Sequence, residues 1–116
     1  MKKYNFTTQE VINYIEDYIE FDGDCIILNE EDWYDALGVQ KSDIMDGDSG
    51  FLMDDVKVTF DGEELDAEEE LACSVGNAMA KYGEEHFGGY WEFHWSEGVV
   101  AAWDANKTSA GEIWGF

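Results

Sequence analysis

A chain of 116 residues carries 28 acidic side chains against six basic ones, all lysines, for a formal charge of −22. That charge excludes nucleic acid and anionic lipid as direct ligands and favours proteins with basic grooves. An apolar content of 45%, with 16% aromatic residues, excludes the acidic disordered tail that the charge alone would suggest.

In chain order, Thr7 with Glu10 three residues on forms a capping box, with Phe6 and Val11 placed for a hydrophobic staple. Val11, Ile15, Tyr18 and Ile19 make an apolar stripe, so the spacing predicts a helix over 8–21. Cys25 to Leu28 reads as a short buried extended segment. Asn29 then caps a short helix over 30–37, stopped by Gly38, with Trp33 and Leu37 on one face. Residues 38–55 read as a loop with a short helical turn. Val56 to Phe60 alternates as a strand and Asp61-Gly62 turns the chain. A second capping box, Asp66 with Glu69, opens a helix over 67–82 that ends at Gly83. Gly76 inside it costs about 1 kcal/mol against Ala, which points to close approach of another backbone, most simply a sheet packed underneath. Tyr90 to Trp95 and Val99 to Asp104 form a hairpin around Ser96-Glu97-Gly98. That loop pairs Trp95 with Val99, Phe93 with Ala101 and Trp91 with Trp103, all on one face.

These elements define a single α+β domain over 1–116. A small antiparallel sheet, the hairpin 90–104 plus the strand near 56–60, packs on two main helices (8–21 and 67–82) and the short helix 30–37. Most aromatics belong to the core (Trp91, Phe93, Trp95, Trp103, Tyr82, Phe60), while Tyr14, Tyr34 and Tyr90 are candidates for exposed anchors.

Cys25 and Cys73 sit in apolar contexts and read as buried thiols. Gln9 and Glu10 interrupt any signal-peptide core after Lys2 and Lys3, and no apolar run is long enough to span a bilayer, so a cytoplasmic location without membrane contact is expected. Asp46-Gly47-Asp48-Ser49-Gly50 fails the calcium-loop pattern, with Phe51 where the invariant glycine belongs and Lys57 where the bidentate glutamate belongs. His86 and His94 lack a metal-site spacing. No metal, cofactor or catalytic residue is assigned, and an enzyme is not expected.

The acids gather in two fields. One holds Glu16, Asp17, Glu20, Asp22, Asp24, Glu30, Glu31, Asp32 and Asp35. The other holds Asp61, Glu63, Glu64, Asp66, Glu68, Glu69 and Glu70. Helix-dipole stabilisation accounts for two or three acids at a helix start, not for seven in ten positions. In duplex DNA, 22 charges occupy roughly eleven base pairs, about 37 Å. A compact chain of this length is about 35 Å across.

In size, charge and lack of catalytic motifs the whole chain resembles the small acidic DNA-mimic inhibitors of phages and mobile elements, the anti-CRISPR and anti-restriction proteins among them. Members of that class share no fold, so no residue carries over. The resemblance implies a stoichiometric inhibitor that occupies the basic groove of a defence nuclease or DNA-binding protein. The alternative is an immunity protein that neutralises a cognate nuclease toxin, and a third class is a chaperone of basic proteins. A neighbouring toxin gene would favour immunity, and loose binding to many partners would favour the chaperone.

Overall fold

Thr7 and Glu10 form the reciprocal cap that their spacing calls for: Glu10 N–H donates to Thr7 Oγ1 and Thr7 N–H to Glu10 Oε1, each at 3.2 Å. Helix α1 (Thr8–Ile15) buries Val11, Ile12 and Ile15. It stops well short of the expected end at Phe21. The Ile15 carbonyl accepts from both Tyr18 and Ile19 N–H, and the chain enters strand β2 (Glu20–Asp22). The cause is tertiary, because β2 pairs antiparallel with β3 (Cys25–Asn29), Phe21 opposite Ile26. The chain is described here from a computed structural model covering residues 2–22, 25–47, 49–96 and 98–107.

Helix α2 (Glu30–Leu37) begins after Asn29, whose side chain makes no cap bond, and ends at Gly38 with φ of 75°. The short α3 (Lys41–Ile44) is the helical turn expected within 38–55. Strand β4 (Val56–Phe60) buries Val56, Val58 and Phe60 on one face, as its alternation requires. Asp61 (φ 52°) and Gly62 (φ 86°) then make a two-residue turn with both φ values positive. This primed geometry matches strand twist and joins β4 to β5 (Glu63–Leu65).

The class is α+β, with the C-terminal hairpin packed on the long helix α4 (Glu68–Phe87). The strand at 56–60 does not join the hairpin's sheet, however. It pairs in parallel with strand β1 (Lys2–Phe6), which local pattern did not reveal, in a sheet of order β1-β4-β5. The other sheet has the order β2-β3-β7-β6, from β6 (Trp91–Ser96) and β7 (Val99–Asp104).

The hairpin also has a different register. Ser96 pairs with Val99, Trp95 with Val100, Phe93 with Ala102 and Trp91 with Asp104. The loop is therefore two residues rather than three, and a one-residue slip moves β7 side chains to the other face. Trp103 and Ala101 leave the α4 side and form a small second cluster with Cys25. Val100 and Ala102 take their place in the main core.

Helix α4 starts one residue later than its expected box. Ala67 is the N-cap without a side-chain bond, and Glu70 rather than Glu69 reaches back, accepting from Asp66 N–H. It also runs past Gly83 to Gly88, which has φ of 71°. Gly83 and Gly76 are buried notches. A Cβ at Gly76 would lie 2.7 Å from Phe93 Cγ, and one at Gly83 2.7 Å from Trp91 Cε2, with other ring atoms closer still. A sheet does lie beneath Gly76, but what approaches it is the Phe93 ring of β6 and not a backbone. The main core joins both sheets with α1, α2 and α4 around Val11, Ile15, Leu28, Trp33, Val58, Leu71, Val75 and Met79.

Candidate functional site

Acids of the first field come together at the junction of α1 and α2. The Asp35 carboxylate accepts from the Tyr18 hydroxyl and holds it above its ordinary pKa, with Asp17 and Asp32 adding to the negative surroundings. Glu16, Asp17, Glu20, Glu31 and Asp35 are exposed, while Glu30 and Asp32 are half-buried. Glu30, Glu31, Asp32 and Asp35 line an open groove against Gln40 and Lys41 at the start of α3. Asp24 and the side chain of Asp22 lie outside the described residues.

Lys41 links this field to the second. Its Nζ lies 2.5 Å from Glu30 Oε1 and 3.1 Å from Glu68 Oε2, and these carboxylates raise its pKa despite an opposing desolvation effect. The Tyr34 hydroxyl donates to Glu68 Oε2 at 3.1 Å, and burial, with Glu68 beside it, pushes that phenol far above its ordinary value. Tyr34 is only 5% exposed, so it is not the anchor it was expected to be; Tyr14 and Tyr90 are exposed at 41% and 59%. The sequence showed no lysine among these acids, yet the fold inserts Lys41 between the two fields. Glu30 and Glu68 are thus structural as well as acidic.

Two acids of the second field, Asp61 and Glu63, are on the far side of α4 from Glu68. Asp61 and Glu63 line a recess with Ser74 and Asn77. Glu68 and Asn77 are nine residues apart, which at 100° per residue turns them half a revolution from each other. The two clusters therefore flank α4 instead of merging into one patch. Asp61 is committed internally: Thr8 N–H donates to its Oδ1 at 2.8 Å and the Thr8 hydroxyl donates to Oδ2. Those bonds hold its carboxyl below the usual range, with a smaller contribution from Lys81. Glu63, Glu64, Asp66, Glu69 and Glu70 are exposed. Glu63 and Glu64 stand on an edge strand, where charge also blocks pairing with another chain.

Among the described lysines, Lys41 makes ion pairs within 4.0 Å, with Glu30 and Glu68. No group of three or more metal-ligating side chains gathers among the described residues, and no helix among them is long and apolar enough to cross a membrane. Cys25 is buried on β3 and Cys73 half-buried on α4, and no disulfide joins them. Burial and the neighbouring Glu69 and Glu70 raise the Cys73 thiol pKa, which disfavours a reactive thiolate. Comparison with protein-family models, curated proteins and solved structures finds no match to this chain.

Proposed function

We propose that the protein is a stoichiometric inhibitor that presents its carboxylates as a substitute for DNA phosphates and blocks the basic groove of a defence nuclease or DNA-binding protein. It acts by binding rather than by catalysis, in the cytoplasm of the cell that holds its target. The observation that carries the reading is an excess charge left unspent within the fold. Lys41 alone of the lysines is in ion pairs among the described residues, so little of the −22 is neutralised by direct contact. Spread along the 44 Å long axis, 22 charges amount to one per about 2 Å, close to the ~1.7 Å of duplex DNA.

The flanking arrangement supports the same reading. A helix with its side chains is about 10–12 Å wide, so acids on its two sides are spaced much as phosphates are across a ~12 Å major groove. Arginines of the target would take these carboxylates in bidentate pairs, and long-range attraction would speed the encounter.

The test is competition against a DNA duplex for the target, captured from host lysate at moderate salt. The variant Glu31→Lys, Glu63→Lys, Glu64→Lys and Glu69→Lys alters exposed acids on both sides of α4. Glu68, bonded to Lys41 and Tyr34, is left intact so that folding is not disturbed. This variant is expected to lose about tenfold or more in affinity at low salt, with a smaller loss at high salt. Competition equal to that of the parent would overturn the proposal.

A further inference from the structure

Where β2 of the first field meets the α4 C-terminus, the molecule exposes aromatic side chains around a cavity. Phe21 is 60% exposed and Phe87 53% exposed, large values for such side chains in a folded core's periphery. Their rings meet edge-on with centroids 5.7 Å apart, and Phe87 stacks on Trp91 at 5.9 Å with planes 24° apart. These rings line one side of a cavity of about 170 Å³. Its wall includes Asp104, a carboxylate only 7% exposed.

The carboxylate is held in place. Asp104 Oδ1 accepts Asn106 N–H at 3.0 Å and Tyr90 N–H at 3.3 Å. Gly89, at φ of 91°, leaves the space that Asp104 occupies, since a Cβ there would fall 2.6 Å from Asp104 Cγ. Lys107 lines the same cavity but forms no ion pair with Asp104.

We infer that this cavity is a docking site for an arginine side chain of the basic partner. Aromatic faces attract a cation through their quadrupole, and arginine in particular stacks flat on them. The buried carboxylate and the surrounding charge of −22 favour a cation and oppose an anion. Size also fits, since a cavity of about 150 Å³ holds benzene, a planar group larger than guanidinium. Such an anchor would add retention to the approach rate that surface charge supplies.

The inference rests on the partner being a basic protein, but its test uses no partner. N-acetyl-arginine amide is titrated into the ¹⁵N-labelled protein, with neutral N-acetyl-citrulline amide as the isosteric control. Saturable millimolar shifts are expected at the Trp91 indole N–H, which donates to Gly88 O at 2.9 Å, and at the Tyr90 and Asn106 amides. Phe87→Leu, an apolar replacement at a 53% exposed position, should weaken binding about threefold or more while the amide spectrum of the rest of the fold is kept. Asp104→Asn, which keeps the Oδ1 acceptor, should weaken it further. Equal binding of the citrulline compound, shifts spread over the acidic fields, or an unchanged Phe87→Leu titration would overturn the inference. So would shifts at these residues that follow protein concentration alone, which would assign the cavity to a second copy of the chain. Failure here leaves the acidic-surface proposal standing. Failure of duplex competition leaves a cation site without that function.

Discussion

Replacing Gly83 by Ala sets two effects of opposite sign against each other. Within a helix, Gly→Ala gains about 1 kcal/mol. At Gly83 the new Cβ would lie 2.7 Å from Trp91 Cε2 and nearer still to two other ring atoms, well inside van der Waals contact. The indole cannot swing away cheaply. Its Nε1–H donates to Gly88 O at 2.9 Å, its backbone N–H donates to Glu84 Oε1 at 3.2 Å, and its ring stacks on Phe87. Overpacking of this kind costs about 1–3 kcal/mol, and the anchored ring places it in the upper part of that range. The net expectation is a loss of about 1–2 kcal/mol, or roughly 4–8 °C in Tm. Urea denaturation with an unchanged m-value would measure it. Asn77→Ala, on the exposed side of the same helix, serves as the control and should gain a few tenths of a kcal/mol. A Gly83→Ala protein as stable as the parent, or more so, would show that the notch does not hold the helix on the sheet.

Two further outcomes follow from the charges. Raising NaCl from about 0.01 M to 1 M shortens the screening length from about 30 Å to 3 Å, so self-repulsion within a body 28 Å across is relieved. Thermal melts at neutral pH should shift upward by several degrees, and a flat response would contradict a dense single-sign surface. The second concerns Asp61, whose carboxyl is held below the usual range by Thr8. Its folded pKa lies below its unfolded one, so its contribution to stability is present above the unfolded value and is lost as pH falls through the folded one. A ¹³C titration of its side-chain carboxyl should give a midpoint below that of an ordinary aspartate, and Thr8→Val should move it upward. An ordinary midpoint in the parent would refute the hydrogen bonds from Thr8.

What was legible in the sequence was local. The Thr7–Glu10 box, the Asp61-Gly62 turn, the Gly38 stop and the alternation of β4 each depend on residues within a few positions of one another. What was missed depends on distant partners. Tyr18 and Ile19 continue the α1 stripe, but Phe21 is drawn into a strand opposite Ile26. Lys2 to Phe6 shows no strong pattern because its partner is β4, far along the chain. Gly83 looked like a stop because glycine usually is one there, whereas here it makes room for an indole, and Gly88 ends the helix. The hairpin's existence was plain from alternation, yet two-residue and three-residue loops both fit its turn residues, and the choice decides the face on which Trp103 lies. The acidic composition was visible at once. The insertion of Lys41 between the fields was not, nor was the aromatic cavity, whose walls come from residues 21, 87, 91 and 104.

The order of strands in the larger sheet bears on how the protein is made. Leu28 of β3 lies opposite Val100 of β7, 72 residues later. At translation rates of about 5–20 residues per second, β3 waits roughly 4–14 s for its partner to be synthesised. During that interval the run Cys25-Ile26-Ile27-Leu28 lacks its native neighbour on one edge, a template for aggregation between nascent chains. Mutual repulsion between strongly anionic chains keeps such edges apart. The same carboxylates that burden the finished fold would therefore protect it on the ribosome.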